Sequence, residues 1–366
     1  MKNKRIVKLV SISFNEHSGL GIIEYGVRLA KALQKQKSDL DFYMYPLVKG
    51  NVFMTPRRQC TPIRVRKLVE SPDVIHYLDP GFIIRDVILG RRKLLSSKFI
   101  VTVHDLDMFR GTNETIRIMR QYTNPLAFIK KPLLIIGTPL SLVIRHFATK
   151  FVINHASKFI CASENTRDEL SKRFKIDKNK CVVVYPIVSE HFRRIRTRKT
   201  KRKIIIGHLS SYLPNKNARI LIDAFKKTTN KNLELHLYGG TLPFKVGDDK
   251  RIKYFGFVPT EKIPRVLSSF DVFVFPSIWE GFGMPVMEAK KCGVPVITYA
   301  KGALPDVVKR HTLQFKDEAD LTRMLENIGW KKINTKKAIL DAKACDENDI
   351  ARKMIKIYKN VIARNN

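Results

Sequence analysis

Pro276-Ser-Ile-Trp-Glu280-Gly-Phe-Gly-Met-Pro285-Val-Met-Glu288-Ala-Lys-Lys-Cys-Gly293-Val-Pro295 is a strand–turn–helix junction written into the sequence. An apolar, β-branched run at 272–276 leads into it and reads as a buried strand. A tight Gly281-Phe282-Gly283 turn follows, and Pro285 sits where a first helical turn accepts it. The pattern predicts a helix to about Cys292, stopped by Gly293. A helix N-terminus therefore stands off the carboxyl end of a strand. Its free backbone N–H groups and partial positive charge suit a phosphate there. Glu280 precedes the helix and Glu288 lies about one turn inside it. Carboxylates accept hydrogen bonds from sugar hydroxyls in a fixed geometry. Either residue alone would read as a surface charge; their joint placement around the glycines points to a site.

The rest of the chain repeats the alternation of short apolar runs and longer amphipathic segments. Strands are expected at 6–13, 74–77, 99–103, 159–162 and 182–185, and in a second series at 203–208, 233–238, 252–256, 272–276 and 294–299. Helical patterns fall between them, at 22–36, 167–174, 218–228, 260–268 and 285–292. Such alternation defines an α/β protein with parallel sheets covered by helices, and two series predict two sheets. A chain of 366 residues is long for one core and comfortable for two. Between the series, residues 193–203 hold eight basic residues in eleven with no apolar periodicity, which reads as an exposed linker. The expected division is a first domain over 1–192, a linker over 193–203, a second domain over 204–345 and a C-terminal helical segment over 346–366. Ile350, Met354, Ile357, Tyr358 and Val361 mark one face of that helix.

The formal net charge is +36, and the excess runs through both halves. A diffuse positive field attracts polyanions of any kind, including lipid headgroups and phosphorylated substrates. A general bias toward Lys and Arg would look the same. The five cysteines include no CxxC pair and imply neither a disulfide framework nor a metal site, as in a reducing compartment. The nine histidines form no HExxH-type pair. The basic, apolar N-terminus reads as a first buried strand rather than a leader, because Lys8 interrupts the run and no small-residue cleavage site follows. No apolar run reaches the roughly 18 residues a bilayer span needs. The stretch 126–153, opening at Leu126 and closing at Ile153, is apolar at its centre with Lys130, Lys131, Arg145 and Lys150 on its flanks. It fits either a core helix entry or a membrane-interface contact, apolar side down and basic flanks toward lipid phosphate.

The Glu280-x7-Glu288 spacing with Gly281, Phe282, Gly283 and Pro285 resembles the signature of the GT4-type glycosyltransferases, the glycosyltransferase group 1 family. The resemblance continues in order along the chain. Ser18-Gly19-Leu20-Gly21 before a helix is similar to the family's N-terminal glycine loop. Val101-Thr-Val-His104-Asp105 resembles the strand end of its acceptor-side domain, and Asp271-Val-Phe-Val-Phe-Pro-Ser277 matches as well. The resemblance implies a GT-B fold, two Rossmann-like parallel-sheet domains facing a cleft. It leaves the C-terminal helix to pack in place or to cross back to the first domain. It implies retaining transfer of a hexosyl group from a UDP- or GDP-sugar to a glycan, lipid-linked or other hydroxyl acceptor, with no metal or other cofactor; the cysteine usage fits the cytoplasm, and the basic surface with the 126–153 stretch suggests peripheral contact with the inner face of an anionic membrane.

By position in the family motif, Glu288 would bind the ribose hydroxyls. Glu280 and the backbone N–H groups of Phe282 and Gly283 would hold the transferred sugar. Lys216, at the end of Gly207-His208-Leu-Ser-Ser-Tyr-Leu-Pro-Asn-Lys216, would neutralise the diphosphate leaving group. Gly19 and Gly21 would let a first-domain loop approach the diphosphate. Val258 would lie near the base, and His104 beside sugar and acceptor. The chain departs from the family at His208, where an Arg is usual; Lys290, Arg219 or a protonated His208 are the candidates for the second phosphate cation. Asp105-Leu-Asp107 is formally a DxD metal motif but reads as the His-Asp strand end. Two alternatives stay open: another GT-B-like enzyme, such as a sugar-phosphate synthase or epimerase, and a basic nucleic-acid-binding protein. The second lacks aromatics interleaved with the basic runs and any recognisable nucleic-acid module.

Overall fold

A computed structural model describes residues 5–11, 21–46, 72–80, 98–105, 147, 149–196 and 203–363. In chain order its elements are β1 (Arg5–Ser11), α1 (Gly21–Lys35), β2 (Leu40–Pro46), β3 (Val74–Tyr77), β4 (Phe99–Val103), β5 (Lys158–Cys161), α2 (Glu164–Phe174), β6 (Cys181–Val183), β7 (Ile204–Ser210), α3 (Ala218–Lys226), β8 (Leu233–Gly239), β9 (Ile252–Tyr254), α4 (Ile263–Ser269), β10 (Val272–Phe275), α5 (Met284–Lys291), β11 (Val296–Tyr299), α6 (Asp306–Lys309), β12 (Leu313–Phe315), α7 (Glu318–Glu326), α8 (Thr335–Asp341) and α9 (Glu347–Ala363). They form two six-stranded sheets, ordered β2-β1-β3-β4-β5-β6 and β12-β11-β10-β7-β8-β9, each parallel throughout.

The chain divides into two compact units, residues Met1–Ile187 with Glu347–Asn366, and Val188–Asp346. In the first unit, both faces of the sheet are buried. Val74, Leu78, Ile100 and Ile160 pack with α1 and α9 on one side, while Ile75, Tyr77, Phe99, Val101 and Phe159 pack with Leu170 of α2 and Val152 on the other. Burial on two faces is why these strands read as continuous apolar runs rather than as an alternation. The C-terminal helix α9 contributes Ile350, Ala351, Met354, Ile357, Tyr358 and Val361 to this first core. Lys35 of α1 pairs with Glu347 at 2.5 Å, and the Gln36 amide donates to Asn348 at 2.8 Å.

In the second unit, Leu233, Leu235, Leu237, Val272, Val274 and Ile297 pack under α3 and α7. On the opposite face, Phe273, Phe275, Val286 and Met287 are fully buried or nearly so. The chain passes between the units at Ile187–Val188, earlier than the basic run at 193–203 suggests. The reason is local. The Val188 N–H donates to Cys345 O at 3.0 Å, the Lys291 ammonium donates to Val188 O at 2.9 Å, and Phe192 is fully buried. Two strands escape the sequence pattern, β2 and β12, both at sheet edges. Among the described residues no helix is long and apolar enough to cross a membrane. Of the stretch 126–153, only residues 147 and 149–153 are described, and they are helical.

Candidate active site

In the second sheet, the order of the strands reverses between β7 and β10. From β7 the chain moves outward to β8 and β9, and from β10 the other way to β11 and β12. The carboxyl ends of such a pair leave a crevice that neither connection fills, and ligands of open α/β sheets bind there. The loops that close over it are those after β7, β10 and β11. They are stitched together by backbone bonds and the Asn215 side chain. Ile278 N–H donates to Asn215 O at 2.8 Å, the Asn215 side-chain amide donates to Trp279 O at 3.2 Å, and Ala303 N–H donates to Ile278 O at 2.8 Å.

Lys216 and Glu280 meet across this crevice. Lys216 ends a single 3-10 turn, Pro214–Lys216, and Asn217 behind it is left-handed at φ 50°. The Lys216 ammonium lies 2.6 Å from Glu280 Oε1, with the two side chains 19% and 13% exposed. The sequence offers each as a separate ligand contact; the structure shows them as one ion pair.

Helix α5 begins immediately after the Gly281-Phe282-Gly283 turn, with Gly283 as its N-cap at φ 104° and no side chain capping its first N–H groups. Phe282 is buried and plugs the turn into the core. A Cβ on Gly283 would lie 2.8 Å from Leu304 Cδ2 and 3.2 Å from Val308 Cγ1. Gly283→Ala is therefore expected to cost about 1–3 kcal/mol from the disallowed φ and the clash together. Thermal unfolding checks it, and an unchanged Tm would show that the turn relaxes freely. Glu288 lies in the second turn of α5 and is 5% exposed.

The three candidates for a second phosphate cation have other partners. His208 is fully buried; Nδ1–H donates to Val274 O at 2.9 Å and Nε2 lies 3.0 Å from Ser210 Oγ. Burial, with a smaller push from Lys216, lowers its pKa to about 4. As placed, His208 brings neither charge nor an unengaged ring nitrogen to a phosphate. Lys290 is sealed inside, its ammonium donating to Val307 O, Arg310 O and Asp341 Oδ2 at 3.2, 2.5 and 2.9 Å. Arg219 is exposed and pairs along α3 with Asp223 at 3.5 Å. Val258 follows Gly256, which turns at φ 72° after β9. Strand β9 stands two places from β7, and at about 4.8 Å per strand that is roughly 10 Å from the crevice.

In the first unit, the strand order reverses between β1 and β3. His104 follows β4, the neighbour of β3, and its Nε2–H donates to Leu78 O at 2.9 Å. Its ring meets Tyr25 of α1 edge-on, with centroids 4.6 Å apart. Burial lowers the His104 pKa, and Asp79 and Asp105 pull the other way. Gly21 is the first residue of α1; Gly19 and Asp107 lie outside the described residues. The sequence reading missed Asn215, Ser210 and Tyr212. The only signal for them was a polar run between the end of β7 and Lys216.

Two family models match the chain. Glycosyltransferase Family 4 covers residues 25–192 and Glycosyl transferases group 1 covers residues 189–328. The chain therefore belongs to the group 1, GT4 glycosyltransferases. It is similar to the O-antigen chain mannosyltransferase B of Escherichia coli, 33% identical over 114 residues, which are 30% of this chain and 30% of that protein. It is also similar to the GPI3 subunit of the phosphatidylinositol N-acetylglucosaminyltransferase of Saccharomyces cerevisiae, 25% identical over 242 residues, 58% of this chain and 52% of that one. The chain thus matches between about a third and half of the length of these relatives. Among solved structures, Anabaena Alr3699/HepE in complex with UDP and glucose superposes with a TM-score of 0.67 at 14% identity, covering 98% of this chain and 100% of that one. The fold is GT-B.

Proposed function

We propose that the chain transfers a hexosyl group, with retention, from a nucleoside-diphosphate sugar to a hydroxyl of a glycan or lipid-linked acceptor. The observation that carries this is the Lys216–Glu280 pair over the β7/β10 crevice, beside the uncapped start of α5. A cation and a helix N-terminus at one place suit a diphosphate, and a carboxylate beside them suits sugar hydroxyls. In the reaction the bond from the sugar's anomeric carbon to the diphosphate breaks. The bond to the acceptor oxygen forms on the same face, and the acceptor's proton passes to the departing phosphate. Lys216 and the positive end of the α5 dipole meet the negative charge as it develops.

Glu280, Phe282 N–H and Gly283 N–H hold the sugar, and Glu288 takes the ribose hydroxyls. Val258, on the loop that leaves β9, is assigned to the base. By the family motif, Gly19 and Gly21 are assigned to the diphosphate and His104 to sugar and acceptor. No residue is assigned to a metal. The relatives, an O-antigen mannosyltransferase and a phosphatidylinositol N-acetylglucosaminyltransferase subunit by name, support a glycan or lipid-linked acceptor. Together with the +36 charge they support action in the cytoplasm at an anionic membrane surface.

Glu288→Ala is expected to weaken UDP or GDP binding, whichever the protein prefers, about 10–100-fold, the loss of charge-assisted hydrogen bonds to two hydroxyls. His104→Ala is expected to lower kcat more than it alters donor affinity. Calorimetric titration and steady-state rates on a panel of UDP- and GDP-sugars measure both. A Glu288→Ala protein that binds nucleotide as tightly as the parent would sink the site assignment.

A further inference from the structure

Lys216 is carried on a loop whose shape is set some residues upstream. Val274 O, a carbonyl, only accepts, so the proton of the neutral His208 ring sits on Nδ1 and Nε2 is an acceptor. The Ser210 hydroxyl, 3.0 Å away, donates to that nitrogen. The same oxygen accepts from the Tyr212 backbone N–H at 3.1 Å. Tyr212 is held at φ 56°, a left-handed conformation that side chains other than Gly and Asn seldom adopt. Its phenol donates to Tyr238 O at 3.0 Å, fixing the ring against β8 and 5.6 Å from the His208 ring. From this strained corner the chain turns once, with Lys216 N–H donating to Leu213 O at 2.9 Å, and delivers the Lys216 side chain to the crevice.

Resting on the assignment of Lys216 to a nucleoside diphosphate, we infer that His208, Ser210 and Tyr212 form a positioning relay that holds the loop and aims Lys216 at the diphosphate. His208 thus acts as a neutral acceptor at the root of the loop, where the family's usual Arg would bring a charge. The relay works through Lys216 and touches no ligand itself. Its strained corner, a backbone conformation without glycine, is stabilised by an oxygen that the preceding strand supplies.

The test is calorimetric titration of UDP and GDP into the parent protein, Ser210→Ala, Ser210→Thr, Lys216→Ala and the Ser210→Ala/Lys216→Ala double variant, with thermal unfolding of each. Ser210→Ala is expected to weaken nucleotide binding about 5–10-fold, and Ser210→Thr, which keeps the hydroxyl, to restore it to within about twofold. In the Lys216→Ala background, Ser210→Ala should have no further effect, because its route to the ligand is gone. The same loss in both backgrounds overturns the relay and leaves Ser210 a merely structural residue. Failure of the donor-site assignment is told apart from this. There, Lys216→Ala alone leaves both nucleotides bound as in the parent.

Discussion

Lys216→Ala is expected to lower kcat about 10²–10³-fold at saturating donor, the loss typical of one fixed donor to a developing negative charge. The fold should survive, because Lys216 and Glu280 are partly buried at the crevice and take no part in the hydrophobic core of their unit. The effect exceeds that of an ordinary surface ion pair, whose loss is worth about 0–1 kcal/mol. Lys216 and Glu280 already face each other at 2.6 Å, so a diphosphate and a sugar arriving there exchange one fixed partner for another with little reorganisation. Glu280 without its cation is also expected to repel the diphosphate, so donor affinity should fall along with the rate. Steady-state kinetics against the preferred nucleotide sugar, with circular dichroism as the control for folding, measure both. A kcat within threefold of the parent would remove Lys216 from the leaving-group role.

Lys290→Ala is expected to destabilise the second unit by about 3–5 kcal/mol, the cost of breaking a buried ion pair from one side. Its side chain is fully buried, and burial lowers the ammonium's pKa while Asp341 raises it. Removing it strands the Asp341 carboxylate, 6% exposed, with His311 as its remaining partner at 3.0 Å. It also leaves Val307 O and Arg310 O, beside the short helix α6, without the donor that serves them. For a unit of this size the loss corresponds to a fall in Tm of roughly 6–20 °C. Lys290→Met with Asp341→Leu should recover much of it, since no charge is then left buried. A single variant as stable as the parent would mean that Asp341 finds solvent or a new partner.

These two lysines show where sequence reading reaches and where it stops. The glycine turn with Glu280 before it is legible because strand end, turn residues and helix start are local signals, whereas Lys216 enters only through the family resemblance. Lys290 and His208 are as polar as Lys216, and nothing local distinguishes them. Lys290 follows Glu288 by two positions on α5, on a side of the helix that meets Asp341 of α8 and the end of α6. His208 faces the core because it lies inside β7, a strand covered on both sides. Which polar residue is covered depends on what packs over it from elsewhere in the chain. The strands went the same way. Strands with both faces covered stood out as apolar runs, whereas β2 mixes Asp41 and tyrosines with Leu40 and Met44, and β12 has three residues. The unit boundary at Ile187–Val188 lies in an apolar segment. The basic run just beyond it is visible in composition, and the backbone bonds of Val188 are not.

Helix α9 closes the core of the first unit although it is synthesised after the whole of the second. A ribosome making this chain therefore finishes the units in reverse. Residues 188–346 have all they need for their own core as soon as they emerge, while the first sheet waits, with the face that α9 will cover still open, for the last part of the chain. Tyr358 then sets its hydroxyl 2.8 Å from Nδ1 of the buried His76. A ribosome stalled before α9, or a truncation that removes it, would yield a folded second unit tethered to an incomplete first one, and quality control in the cell would meet that species as exposed aliphatic surface at the beginning of the chain rather than at its broken end.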